Sequence, residues 1–217
     1  MKDNKGGLEK SRYDYHRNIL LESTASHDPF IMADTWMRDA ESEGIKDFNA
    51  FNLVTQGLDG FPQTRIVLVR GFDHKGLVFY TNYESNKGKE ILANEKVAAN
   101  FYWNTLERQI RMKGIARKVS GEESDAYFKS RPRESQIAAW ASMQSHVMTS
   151  REELENRVTE FTEKFARADV PRPEHWGGFR IVPNSFEFWQ GRPSRLHDRL
   201  LYQVDENFNW YIRRLNP

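Results

Sequence analysis

Phe51-Asn52-Leu53-Val54-Thr55, the turn Gly57-Leu58-Asp59-Gly60 and the return Arg65-Ile66-Val67-Leu68-Val69-Arg70 form the stretch that decides the fold. Two β-prone runs flank a glycine-rich turn, which is the pattern of an antiparallel hairpin. A second turn, Asp73-His74-Lys75-Gly76, leads into Leu77-Val78-Phe79-Tyr80-Thr81 and extends the hairpin into a meander. A short helix around Lys87 to Asn94 interrupts it, after which Val97 to Trp103 and Gln109 to Val119 read as two longer strands. Five strands with short turns predict a barrel or sandwich.

Upstream of the meander, Asp28-Pro29 has the form of a helix start, with Asp as N-cap and Pro at the first helical position. Phe30, Ala33, Met37 and Ala40 then share one face, and the helix should end near Gly44. Residues 1–27 are polar and largely aperiodic, which reads as a mobile N-terminal arm, although Arg12, Tyr13 and Tyr15 are unusual company for a tail. Downstream, a helix from Glu122 to Arg131 is broken by Pro132 and resumes from Gln136 to Met143. Ser150 and Glu153 form a capping box, and Leu154, Val158, Phe161 and Phe165 keep helical spacing up to Pro171-Arg172-Pro173. Strands return from Gly178 to Arg214, with Asp205-Glu206-Asn207 as a turn. The expected fold class is mainly β with peripheral helices, an α+β protein whose residues 28–217 make one domain.

Composition excludes several functions. The 217 residues carry 32 Lys and Arg against 31 Asp and Glu, so no global field draws nucleic acid or an acidic membrane, and anion binding must be local. There is no cysteine, hence no disulfide, thiolate nucleophile or zinc-thiolate site. No His pair has metal-site spacing and no carboxylate cluster accompanies one, so no metal is expected. No apolar run reaches membrane-spanning length, and Met1 to Lys10 lacks a secretory apolar core, so a cytoplasmic protein is the simplest account. Glycine spacing for a dinucleotide-binding turn or a P-loop is missing, as is a Gly-x-Ser-x-Gly elbow.

What the sequence does offer is scattered sites for anions. If Arg195-Leu196-His197-Asp198-Arg199 is extended, Arg195, His197 and Arg199 share one face, suited to a planar anionic ligand; a solvated edge strand fits the same residues. Arg65 and Arg70 bracket an apolar run and would hold two guanidiniums on a rigid element, or simply snorkel from its ends. The loop from Tyr83 to Lys89 precedes a helix and brings amides and lysines to a second anion, a weak signal. Tyr127 and Arg131 lie four apart on one helix face, and the break at Pro132 would bring Ser135 beside them as a monophosphate pocket; an ordinary solvated helix face is the competing reading. Without a redox or nucleophilic group of its own, such a chain borrows its chemistry from a phosphate-bearing cofactor.

Arg65 to Arg70, Phe79-Tyr80-Thr81-Asn82, Leu106-Glu107-Arg108-Gln109, Ser130-Arg131-Pro132-Arg133-Glu134-Ser135-Gln136, Phe188-Trp189-Gln190-Gly191 and Arg195 to Arg199, in this order and spacing, closely resemble the pyridoxine (pyridoxamine) 5'-phosphate oxidase family. The resemblance runs from Pro29 to Pro217. It implies an FMN-binding split β-barrel, homodimeric, with FMN in clefts between subunits. By motif match it implies Arg65 and Lys87 at the FMN phosphate, with Ile66, Val67, Leu68 and Val69 along the flavin. Arg70, Tyr80, Thr81, Gln109, Gln144, Ser145, Trp189 and Arg199 would complete that site. Tyr127, Arg131 and Ser135, together with Arg70, would hold a substrate phosphate. Arg195 and His197 would act over the pyridine ring as the catalytic pair, and Arg12 and Tyr15 would close over substrate as a lid. Two departures stand out. Arg70 replaces a usual Lys and keeps its charge, whereas Asn86-Lys87 replaces a usual Arg-Lys, which removes a cation and implies weaker FMN retention.

The implied activity is oxidation of pyridoxamine or pyridoxine 5'-phosphate to pyridoxal 5'-phosphate with O2 as acceptor, releasing hydrogen peroxide, in vitamin B6 biosynthesis and salvage. The alternatives are another split-barrel flavin reductase, a non-catalytic FMN or pyridoxal phosphate carrier, and a basic nucleic-acid-binding barrel, which the balanced charge disfavours.

Overall fold

The alternation of apolar and polar residues in the decisive stretch is met by a hairpin of strands β1 (Ala50–Gln56) and β2 (Pro62–Leu68) in the computed structural model, which describes residues 14–217. Helix α1 (Pro29–Ser42) precedes it, and β3 (Gly71–Asp73), β4 (Gly76–Asn82), α2 (Asn86–Ala93), β5 (Lys96–Trp103) and β6 (Arg108–Lys118) follow. Then come α3 (Gly121–Ser130), α4 (Arg133–Ala141), α5 (Arg151–Lys164), β7 (Trp176–Gln190), β8 (Asp198–Val204) and β9 (Trp210–Leu215). Hydrogen bonding orders the strands β2-β1-β5-β6-β7-β4-β3, with β8 joined to β7 and β9 to β8. The fold is mainly β with helices between strands, as the sequence predicts.

The chain divides into two compact units. The larger comprises residues 49–100 and 112–184. Its hairpin pairs Leu53 with Arg65 and Asn52 with Ile66, so Phe51, Leu53 and Thr55 alternate inward along β1. Phe51 meets Phe79 edge-on at 5.9 Å, and Phe79 meets Phe179 at 5.8 Å, contacts worth about 1 kcal/mol each beyond their burial. The turn into β4 depends on Gly76, whose φ is +125° and whose missing Cβ would lie 2.0 Å from the Ile181 carbonyl oxygen. A second apolar cluster joins Phe128, Ile137, Phe165, Val170 and Trp176.

Among the described residues, the smaller unit comprises 14–48, 101–111 and 185–217. Asp28 caps α1 by accepting the Phe30 amide, and Met32, Ala33, Trp36, Met37 and Ala40 form its buried face. Trp36 packs edge-on against Phe188 at 5.2 Å, and Phe30 against Phe186 at 5.2 Å. Buried Tyr202 donates to the Ser26 carbonyl at 2.8 Å, and burial pushes its phenol up to about 12. The β8–β9 turn forms as expected, with Asp205 Oδ1 accepting the Asn207 and Asn209 amides.

Two expectations need correction. Strand β2 ends at Leu68, so Arg65 lies within it and Arg70 beyond it. The Arg70 amide bonds to the Val78 carbonyl instead, as the backbone turns into β3, a short strand absent from the sequence reading. Helix α5 forms as its spacing predicts: Phe161 is half-buried, with its ring 5.6 Å from Trp140, and Phe165, just past the helix end, is buried in the second apolar cluster. At its start, Ser150 caps the Glu153 amide, but the Glu153 carboxylate returns to Thr149 rather than to Ser150.

Candidate functional site

Within the larger unit lies a cavity of about 370 Å³ whose lining includes the cations Arg70, Lys87 and Arg131 and apolar residues of β2. Ile66, Val67 and Leu68 of β2 line it, with Ile66 67% exposed. Tyr80 and Thr81 of β4, Lys87, Gln144, Arg70, Tyr127 and Arg131 complete the set of expected residues found there.

One cationic part of the lining is built around Lys87. Ser85 caps α2 by accepting the Gly88 amide, and Gly88 sits so close that a Cβ would come 2.2 Å from the Tyr83 carbonyl oxygen. That close first turn directs Lys87 inward, where it is 9% exposed. Its amine donates to Thr81 Oγ1, Ser85 Oγ and Gln144 Oε1, each at 3.3 Å, all neutral oxygens. Burial, then the neighbouring Arg65 guanidinium, bring its pKa down to about 8, against the pull of Glu90. Arg65 does not itself line the cavity: it bonds to Glu90 at 2.8 Å and to Thr55.

A second cationic part is built around Arg131. Tyr80 and Tyr127 stack at 3.9 Å, Tyr80 and Trp176 at 5.4 Å, and the Arg131 guanidinium lies 4.6 Å from the Trp176 ring centre. Arg131 Nη1 is buried without a hydrogen-bond partner, and burial lowers the guanidinium's pKa. An unpaired buried guanidinium nitrogen is costly and marks a position that an oxyanion would satisfy. Ser135 and Val69 do not line the cavity, and neither does Ser145, which holds a left-handed backbone at φ 73°.

The smaller unit gathers a second group. His197 packs against Trp189 at 4.7 Å, and Tyr15 sits edge-on to both rings at 5.7 Å. His197 Nδ1 accepts the Arg192 amide at 3.1 Å, while burial and then Arg195 lower its pKa. Arg199 is occupied by Glu187 at 2.9 Å and the Asn216 carbonyl at 2.9 Å, and Gln109 lies on β6. Arg12 lies outside the described residues.

The alternation expected from Arg195 to Arg199 fails. Pro193 opens a 3-10 turn, Ser194 and Arg195 take left-handed φ of 56° and 63°, and β8 begins only at Asp198. Leu196 is therefore 69% exposed while Leu200 is buried, and Arg195 is an exposed side chain on a kink. Trp176, Thr55 and Glu90 are the residues that the motifs passed over. A Glu three positions after Lys87 on a helix with its apolar Ile91 was the available signal for the last.

Among the described residues no group of His, Asp and Glu is arranged to hold a metal, and no helix is long and apolar enough to cross a membrane. A family model described as pyridoxamine 5'-phosphate oxidase matches residues 37–165, and one described as a pyridoxine 5'-phosphate oxidase C-terminal dimerisation region matches residues 176–217. A pyridoxine/pyridoxamine 5'-phosphate oxidase of Microcystis aeruginosa is 51% identical over 206 residues, 95% of this chain and 96% of that protein. The structure of PhzG from Burkholderia lata, in complex with tetrahydrophenazine-1-carboxylic acid, superposes with a TM-score of 0.86 at 27% identity, over 92% of this chain and 98% of that one. A pyridoxamine 5'-phosphate oxidase-related, FMN binding protein of Nostoc punctiforme shares the fold, with a TM-score of 0.70 at 16% identity, over 89% and 100% of the two chains.

Proposed function

Because the chain belongs to the pyridoxamine 5'-phosphate oxidase family, we propose that it is an FMN-dependent oxidase acting on pyridoxamine and pyridoxine 5'-phosphate, with O2 as acceptor and pyridoxal 5'-phosphate and hydrogen peroxide as products. The observation that carries this reading is the presence of two distinct cations in the lining of one cavity, Lys87 bonded only to neutral oxygens and Arg131 with a buried unpartnered Nη1. Two such cations, each with its own set of neighbours, suit two phosphorylated rings.

The residues present fit FMN. Lys87 lacks an anionic hydrogen-bond partner, and Arg65, outside the cavity lining but near enough to lower the Lys87 pKa, would add a second positive charge behind it, so the two would act together as a phosphate grip. Ile66 to Leu68 offer strand backbone and apolar surface to the ring, and Thr81 and Gln144 would share Lys87's hydrogen bonding. Bound there, FMN supplies the two-electron acceptor that the chain lacks.

Arg131, with Tyr127 and Arg70, would hold the substrate phosphate. Its guanidinium is already fixed against Trp176, so binding costs little side-chain ordering. A phosphate fixed at one end converts binding energy into orientation at the carbon to be oxidised. His197 would orient the pyridine ring through Nε2, because Nδ1 is taken by the Arg192 amide, and Arg195 would set the ring's protonation. Arg195 and His197 lie within residues 176–217, the segment that matches the dimerisation region, and the reading includes a homodimer.

The likeness to PhzG gives a second reading, in which the substrate is a polycyclic carboxylic acid. The test is anaerobic addition of pyridoxamine 5'-phosphate to the FMN-loaded protein. Rapid bleaching of the oxidised flavin band supports the proposal. An unchanged spectrum with that substrate, but bleaching by tetrahydrophenazine-1-carboxylic acid, transfers support to the second reading.

A further inference from the structure

Glu90 is 5% exposed on the inner side of α2, deeper than a carboxylate remains charged without partners. Its Oε2 accepts from Arg65 Nη2 at 2.8 Å and from the Thr55 hydroxyl at 2.5 Å. The Thr55 hydroxyl, 2% exposed, in turn accepts from Arg65 Nη1, so the three side chains close a ring of hydrogen bonds. Lys87 lies three positions earlier on the same helix and feels both charged members, Arg65 lowering its pKa and Glu90 raising it.

We propose that Glu90 is a positioning residue for the cofactor site, a resident counter-anion that holds Arg65 in place and, by its own charge, limits how tightly the FMN phosphate is retained. The proposal rests on the reading of Arg65 and Lys87 as the phosphate grip. Two cations and one carboxylate leave a net charge of +1 in the free protein. A phosphate dianion brought to Arg65 and Lys87 balances both cations by itself, and Glu90 then contributes one negative charge in excess. The carboxylate therefore stabilises the free protein and opposes the phosphate. A purely structural Glu90 would act through shape and hydrogen bonding alone, and glutamine would replace it without a change in either sense.

Glu90→Gln keeps an oxygen to accept from Arg65 and removes the charge; Glu90→Asp keeps the charge and shortens the reach. FMN and riboflavin, which lacks the phosphate, are titrated into wild-type and variant apoproteins by flavin fluorescence, and the apoproteins are melted in parallel. Glu90→Gln should bind FMN roughly tenfold more tightly, the low end of what one neighbouring charge does to a partly buried ionic equilibrium. Its riboflavin affinity should be unchanged and its apoprotein should melt lower, and Glu90→Asp should show no gain in FMN affinity. Equal or weaker FMN binding by Glu90→Gln overturns the proposal while leaving the phosphate grip intact. Should wild type prefer FMN no more than riboflavin, the grip itself is refuted and the proposal with it. If Glu90→Gln yields no soluble apoprotein, refolding with each flavin decides: recovery by FMN alone supports the proposal, and recovery by both or neither overturns it.

Discussion

Raising the pH from about 7 to about 9.5 should loosen FMN and leave riboflavin in place. Lys87 ionises at about 8 in the free protein, and only its charged form attracts phosphate. The FMN phosphate is a dianion over the whole range, its second ionisation falling near ~6. Beside that dianion the amine should recover a value near its ordinary ~10.4. At pH 9.5 only about 3% of the free protein carries the charged amine, so affinity should fall by about 30-fold, or about 2 kcal/mol. Fluorescence titration across the range measures it, with Lys87→Arg as a control whose guanidinium stays charged and whose profile should be flat. Calorimetry near pH 9 should show close to one proton taken up per FMN, an order-of-magnitude expectation from the same linkage. Parallel loss of FMN and riboflavin affinity, or a flat FMN profile in the wild type, would refute the placement of phosphate at Lys87. The apoprotein should respond oppositely. The folded value lies below the unfolded one, so between about 8 and 10.5 the unfolded chain holds more protons and stability rises with pH. Relief of the buried charge is worth about 3 kcal/mol over that window.

Arg131→Ala should reduce kcat/KM for a phosphorylated substrate about 100-fold, close to 3 kcal/mol for lost charge-assisted bonds, while FMN binding is kept; loss of FMN as well would contradict the division of roles between Lys87 and Arg131. Gly76→Ala forces a Cβ onto the Ile181 carbonyl at positive φ and should destabilise the fold by at least about 3 kcal/mol in urea melts, whereas Gly121→Ala, with nothing near its Cβ, should be neutral or slightly stabilising. The Arg192 amide is only a donor, so His197 should be neutral with its proton on Nε2, and its lowered pKa keeps it so at neutral pH. Nitrogen NMR of the ring reads this directly, and a proton found on Nδ1 would overturn it. His197→Gln, which carries an N–H near the far ring nitrogen, should retain more turnover than His197→Asn.

Local chemistry made much of the fold legible. Asp28-Pro29 marked the start of α1, and the turn at Gly57 to Gly60 marked the β1–β2 hairpin, because caps and tight turns are decided within a few residues. The kink at Ser194 and Arg195 was missed because neither residue ordinarily favours a left-handed backbone. At the candidate site, motif matching named Lys87, Tyr127 and Arg131, all of which face one cavity. It did not find Trp176, which reaches Arg131 across 45 positions of sequence, nor the Thr55–Arg65–Glu90 ring, whose members come from two strands and a helix. Hydrogen bonds of that kind are made by tertiary pairing and leave no short-range trace.

The interleaving of the two units bears on how the chain is made. On the ribosome α1 is complete after 42 residues, yet its partners Phe186 and Phe188 are added about 150 residues later. At roughly 5–20 residues per second, its apolar face stays uncovered for on the order of ten seconds or more. The nascent chain is thus exposed to chaperones and to aggregation over that interval, and a ribosome stalled before residue 185 would display a helix with nothing of its own to pack against in β7.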